Sequence, residues 1–160
     1  MSLLFRRARR AGLSLLLLIV LPATVAAPTY AVYESENDFW TVMEAAKLAI
    51  QERGMFINNI MHLSDMLKRT GKDLGLKGQI YGHAESIEFC SAVLSRKMMA
   101  EDPGRIVNCP FVVAIYTLPG KPGKTYVAHR TIPREEVAKS PAMAQVAATL
   151  KGVAAAAVSW

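Results

Sequence analysis

The chain has 160 residues, 52% of them hydrophobic and 20% charged, with 19 Lys+Arg against 13 Asp+Glu for a formal net charge of +6. Four of those cations, Arg6, Arg7, Arg9 and Arg10, fall before residue 28, where no acidic residue stands, which leaves the rest of the chain 15 against 13, or +2. The basic balance therefore belongs to the N-terminus, and nucleic acid, which needs a basic stripe on the folded domain, is excluded as an expected partner.

The N-terminus has the three parts of an export signal: the arginine cluster, an apolar stretch centred on Leu15–Val20, and Pro22 with the small residues Ala23–Ala27. Its apolar run is shorter than the ~20 residues that span a bilayer. The reading is a secretory signal peptide over residues 1–27, cleaved somewhere between 26 and 31, in preference to an uncleaved membrane anchor. The expected location is the periplasm or the medium, with the membrane met only through this segment before cleavage. What remains has the length of one domain.

Thr29–Glu34 is rich in β-branched and aromatic residues and predicts a first strand. Asn37 or Asp38 offers an N-cap for a helix in which Phe39, Val42, Met43, Ala46, Ala49 and Ile50 recur at helical spacing, with Gly54 as its stop. Met55–Met61 reads as a second strand, with Met61 and Met66 at positions expected in the core. Ser64 is expected to cap a short helix running through Leu67 to Leu74, closed by Gly71, Gly75 and Gly78. Gln79–Phe89 reads as extended at first, its second half alternatively opening a helix over Glu85–Met99. Glu101–Gly104 reads as a plain turn.

Phe111–Tyr116 is a continuous apolar run, the pattern of a strand buried on both faces. A turn through Pro119, Gly120, Pro122 and Gly123 returns it to Thr125–Arg130 as a hairpin. Ser140 and Pro141 form an N-cap and first-turn pair for an alanine-rich helix over about 141–158. Strands interleaved with helices and one late hairpin predict an α+β fold. The expected architecture is a single two-layer domain, a mixed β-sheet with helices packed mainly on one face. Residues 34–132 form its body, and 133–160 a C-terminal helix packing on or extending it.

Three stretches resemble the DUF302 family, small α/β domains of undefined function. They are the helix end Ala49–Gly54 running into Met55–Ile57, the segment His62–Met66 continuing to Gly75–Leu76, and Pro110–Tyr116 with Gly123 and Thr125–Arg130. The resemblance spans roughly Glu34–Ile132. It departs where many relatives carry a Phe-Gly-Asn-Pro-like turn; here Tyr81–Cys90 stands instead. It implies a fold, no cofactor and no functional residue.

Cys90 and Cys109 are the only cysteines. In an oxidising compartment such a pair predicts a disulfide, and closing a loop of this length stabilises by roughly 3 kcal/mol. Reduced buried thiols, or a redox-active or metal-bound pair, are the alternatives; nothing resembles C-x-x-C. His62, His83 and His129, with the cysteines and with Met61, Met98 and Met99, supply the ligand types copper(I) favours. No two histidines sit at metal-ligand spacing, and C-x-x-C-H is absent, so no cofactor is expected, with copper or haem as the alternative. Glu85 and Glu88 would share a face if helical, and Asp65 lies near His62, but each reads more simply as surface or cap. No nucleophile elbow, zinc-binding helix or phosphate loop occurs, and no catalytic residue is assigned. The expected function is an exported, non-enzymatic accessory or binding protein for a small molecule or periplasmic protein. A redox or metal-handling protein built on Cys90, Cys109 and the histidines is the alternative. The apolar last helix with Trp160 reads as docked on the sheet, or else as a homodimer or membrane-surface contact.

Overall fold

The structure is a computed structural model that describes residues 28–160, so the export-signal reading of 1–27 lies outside the described residues. Asp38 starts the first helix, α1 (Phe39–Gln51): its carboxylate accepts from the Trp40 and Thr41 amides at 2.9 and 3.1 Å and from the Thr41 hydroxyl at 2.6 Å. All six residues expected on its apolar stripe are buried. Gly54 ends the helix with φ at +68°, in the region glycine enters freely, and turns the chain into the next strand.

α1 joins β1 (Tyr30–Ser35) to β2 (Phe56–His62). β3 (Ala84–Cys90), β4 (Phe111–Tyr116) and β5 (Thr125–Arg130) lie between these two in the order β1-β5-β4-β3-β2. The class is α+β, with a five-stranded sheet. Every pairing is antiparallel, where a mixed sheet was expected. The reason is topological: β1 and β2 run the same way, but the crossover through α1 places them at opposite edges, so they never meet.

α1 and α5 (Pro141–Val158) cover one face of the sheet. Ile87, Phe89, Val113, Ile115 and Val127 rise from the strands to meet Val42, Met43 and Ile50 of α1 and Val146, Leu150 and Val153 of α5. β4 alternates, with Phe111, Val113 and Ile115 buried and Val112 exposed. The expectation of burial on both faces fails because an antiparallel sheet can leave one face open. Met61 and Met66 are exposed, also against expectation: Met61 points to that open face, and α2 buries none of its residues.

α2 runs over Leu63–Asp73, starting two residues earlier than a cap at Ser64 implies, and Gly71 lies inside it. His62 occupies its cap position without a side-chain capping bond, and Ser64 falls in the first turn. β3 takes the stretch that had a helical alternative, and α3 (Ala92–Glu101) begins only after Ser91, whose hydroxyl accepts from the Leu94 amide. Glu85 and Glu88 consequently face opposite sides of a strand. The turn expected at Glu101–Gly104 is the start of a 3₁₀ segment, Pro103–Asn108, capped by Asp102.

α5 begins as its sequence predicts, Ser140 accepting from the Met143 amide at 3.0 Å. A short helix not anticipated, α4 (Arg134–Lys139), precedes it. Ser140 also donates to Glu101, which Arg105 meets at 2.6 Å, tying α3 to the start of α5. α5 is long and apolar enough to cross a membrane by composition, and one stripe of it, Ala142, Met143, Val146, Leu150, Val153, Ala154 and Ala157, is buried in the core.

The Thr41 hydroxyl, then the Thr41 and Trp40 amides, hold the Asp38 carboxyl below its ordinary range. A depressed folded pKa means its stabilisation is present above the unfolded value near 4 and is lost as pH falls through the folded value. Asp38→Ala is expected to melt a few degrees below the parent at pH 7. That gap should narrow as the pH falls below the ordinary aspartate value and close once it has passed the depressed folded one, as read by circular dichroism.

Candidate functional site

β4 and β5 pair from Tyr116↔Tyr126 as far as Val113↔His129 and then part. Beyond that point Phe111 and Val112 stay with β3, opposite Phe89 and Glu88, while Arg130 stays with β1, opposite Tyr30. The chain supplies the reasons on both sides. Pro110 enters β4 without an amide hydrogen, and Pro133 turns the chain after β5 into α4. The sheet opens as a fork, and a cavity of ≈570 Å³ occupies it. That volume suits a drug-sized molecule.

Phe111, Ile132, Val146 and Leu150 wall the cavity on the helix side; Val112, Ala114 and Ala128 line it toward the open face. Four residues with polar side chains lie among these apolar walls: Tyr30, Asn108, His129 and Arg130. His129 is 8% exposed, its ring on the helix side because Val127, two residues before it, is buried there. Its Nδ1 lies 2.7 Å from the Arg130 carbonyl. A carbonyl can only accept, so Nδ1 carries hydrogen, and in the uncharged ring Nε2 is the acceptor. Tyr33 presents its hydroxyl to Nε2 at 3.4 Å and stacks on the ring at 5.7 Å and 24°. Arg130 is exposed, and among the described residues no carboxylate lies within 4 Å of it. The arrangement can hold an apolar body, with hydrogen-bonding groups at one end and a cation at the rim.

The other residues singled out in the sequence lie apart from this cavity and from one another. His62 Nδ1 meets Glu85 at 2.9 Å across β2 and β3. His83 stacks on Phe39 at 5.0 Å, beside Trp40, in a smaller hollow of ≈330 Å³ at the start of α1. The three histidines thus have three separate settings, and among the described residues no group of three or more His, Cys, Asp or Glu side chains is placed to hold a metal ion.

Cys90 ends β3 and Cys109 precedes β4, and the fold does bring these two together. Their Sγ atoms are 3.0 Å apart as thiols, with the Ser95 hydroxyl 3.4 Å from Cys90. Burial first, and then the neighbouring Cys90 thiol, pushes the Cys109 thiol up from its ordinary pKa. That is the opposite of the shift that makes a reactive thiolate. Asn108 and Pro110, on either side of Cys109, both line the fork.

Arg130, Tyr33 and Asn108 had not been singled out from the sequence. The only signal for Tyr33 and Arg130 was their strand alternation, which places residues on faces but does not say where two strands separate.

No curated protein matches the chain. Among solved structures it is similar to one described as the crystal structure of uncharacterized conserved protein DUF302 from Bacillus stearothermophilus. The TM-score is 0.63 at 16% identity, over 83% of this chain and 98% of that one. At that identity the likeness concerns the fold alone. Residues 31–158 match the family model described as Domain of unknown function DUF302, a span that takes in α5 and all of the sheet but Tyr30. The chain belongs to the DUF302 family.

Proposed function

We propose that this is an exported, non-enzymatic protein that binds a small apolar or aromatic molecule bearing an acidic group. The observation that supports it is the forked cavity, whose apolar walls converge on His129 with Arg130 at the rim. An apolar enclosure with few, placed polar groups is the usual form of a small-molecule site. Arg130 without an acidic neighbour favours an anionic group on the ligand over a cationic one. Among the described residues that line the cavity there is no nucleophile with an adjacent base, which favours capture over chemistry.

The probe is anilinonaphthalene sulfonate, an aromatic anion whose emission rises in apolar surroundings. The parent is expected to bind one equivalent saturably. Ala128→Trp, at an outward-facing position that fills the fork, should weaken binding about ten-fold or more. Arg130→Gln should weaken it less. Equal binding by Ala128→Trp would overturn the reading.

A second reading, a redox or metal-handling protein, is favoured by the cysteine pair alone. Two thiols at this distance can pass two electrons and two protons to a partner disulfide, or offer two soft ligands to a metal. Its mark would be cysteines that cycle, or metal bound at Cys90 and Cys109. The raised Cys109 pKa weighs against ready cycling.

A further inference from the structure

Away from the fork, α2 presents an unusual combination. It is an eleven-residue helix with no buried residue; Leu63, Ser64, Leu67 and Gly71 are half-buried on one side, and Lys68, Arg69 and Lys72 stand on the other. Its end is a Schellman turn: the Gly75 amide donates to the Lys72 carbonyl at 3.1 Å and the Leu76 amide to the Gly71 carbonyl at 2.8 Å, with Gly75 at φ +68°. In this motif the residue at the Leu76 position ordinarily packs against the one at the Gly71 position. Glycine offers nothing to pack on, and Leu76 is left 67% exposed.

Leu74 and Ile80 share that condition at 72% and 61% exposed, so three large apolar side chains stand in water within seven residues. The returning segment and α2 enclose a groove of ≈540 Å³, with Leu67, Leu76 and Ile80 inside and Lys68, Lys72 and Lys77 on its rim. Among the described residues no carboxylate lies within 4 Å of Lys68, Arg69, Lys72 or Lys77. Uncovered apolar groups and unpaired cations thus lie on one surface, the composition of a helix that rests in a lipid headgroup layer.

We infer that α2 and residues 74–81 form a peripheral membrane-binding surface selective for anionic lipid. Leu74, Leu76 and Ile80 enter the boundary between headgroups and acyl chains, and the four basic side chains lie against lipid phosphates. Charge decides between this occupant and a second copy of the chain. The surface also carries the exposed Asp65 and Asp73, so residues 63–81 hold four cations against two carboxylates, and a two-fold contact would set that net positive patch against itself. An anionic bilayer meets it with the opposite sign.

Protein beginning at Pro28 keeps every described residue of the core. It is sedimented with vesicles of phosphatidylcholine alone or mixed with phosphatidylglycerol. Binding to the mixed vesicles should exceed binding to the neutral ones about ten-fold or more, and fall with salt. Leu74→Asp with Leu76→Asp should abolish it, and Gln at residues 68, 69, 72 and 77 should remove the lipid preference. Both variants replace exposed groups, and their melting should match the parent's. A second readout is Leu76→Trp, whose emission should move to shorter wavelength on mixed vesicles only. Binding indifferent to lipid charge, or unchanged in the aspartate variant, overturns the inference. So does a dimer by sedimentation velocity that the aspartate variant dissolves, which would assign the surface to a second copy. Either result leaves binding at the fork untouched.

Discussion

Phe89→Ala is expected to lower the unfolding free energy by about 3–5 kcal/mol, as large-to-alanine changes in a closed core do. Phe89 is fully buried on β3, meets Phe111 edge-on at 5.8 Å, and lies in the cluster that joins the sheet to α1 and α5. Truncation removes the ring and leaves a void beneath two helices that each pack on other strands, so neither is free to collapse into it. A domain of this size has a stability of about 5–15 kcal/mol, and the loss is a large part of it. Urea unfolding should show a lower midpoint with an unchanged slope. An effect under about 1 kcal/mol would mean that the strands and helices are not packed as described. Phe111 also walls the fork, so the same variant should weaken probe binding through its displaced neighbour.

Closing a Cys90–Cys109 disulfide is expected to stabilise the protein by about 3 kcal/mol relative to the reduced form. The fold brings the two sulfurs to 3.0 Å although nineteen positions separate them in the chain. Oxidised protein should therefore melt well above reduced protein, and Cys90→Ser should melt like the reduced form under either condition. Thiol titration in denaturant, without reductant, identifies the state in the isolated protein. No free thiol means a structural staple at the base of the fork. Two free thiols per chain would remove the staple from the account and strengthen the metal-handling reading.

The elements legible in the sequence were those whose signals are local. Asp38 and the stripe from Phe39 to Ile50 define α1, and Ser140 with Pro141 defines the start of α5; in each the side chain that makes the bond stands next to the residues it caps. Where the sequence misled, the deciding partner was distant. Glu85–Phe89 is a strand because β2 and β4 flank it, not because of its own propensity. Phe111–Tyr116 has the composition of a strand buried twice over, yet among the described residues its second face is only partly covered, with Val112 exposed.

The site was less legible than the fold. His129 stood out as a histidine, but nothing in Thr125–Arg130 indicates that β5 leaves β4 after it. Cys90 and Cys109 were recognisable as a pair, and the structure does bring them together. Their bearing on Asn108 and Pro110 appears only when β4 is placed. The exposed leucines after α2 had a signal in Gly71, which denies Leu76 its usual partner, but a glycine there reads equally as a helix stop.

The most direct test of ligand capture at the fork is a nuclear magnetic resonance titration of the protein with anilinonaphthalene sulfonate. Saturable shifts at Ala114, Ala128, His129 and Leu150, complete at one equivalent, are the result expected. Shifts confined to Leu74, Leu76 and Ile80, or none that saturate, would contradict a binding site between β4 and β5.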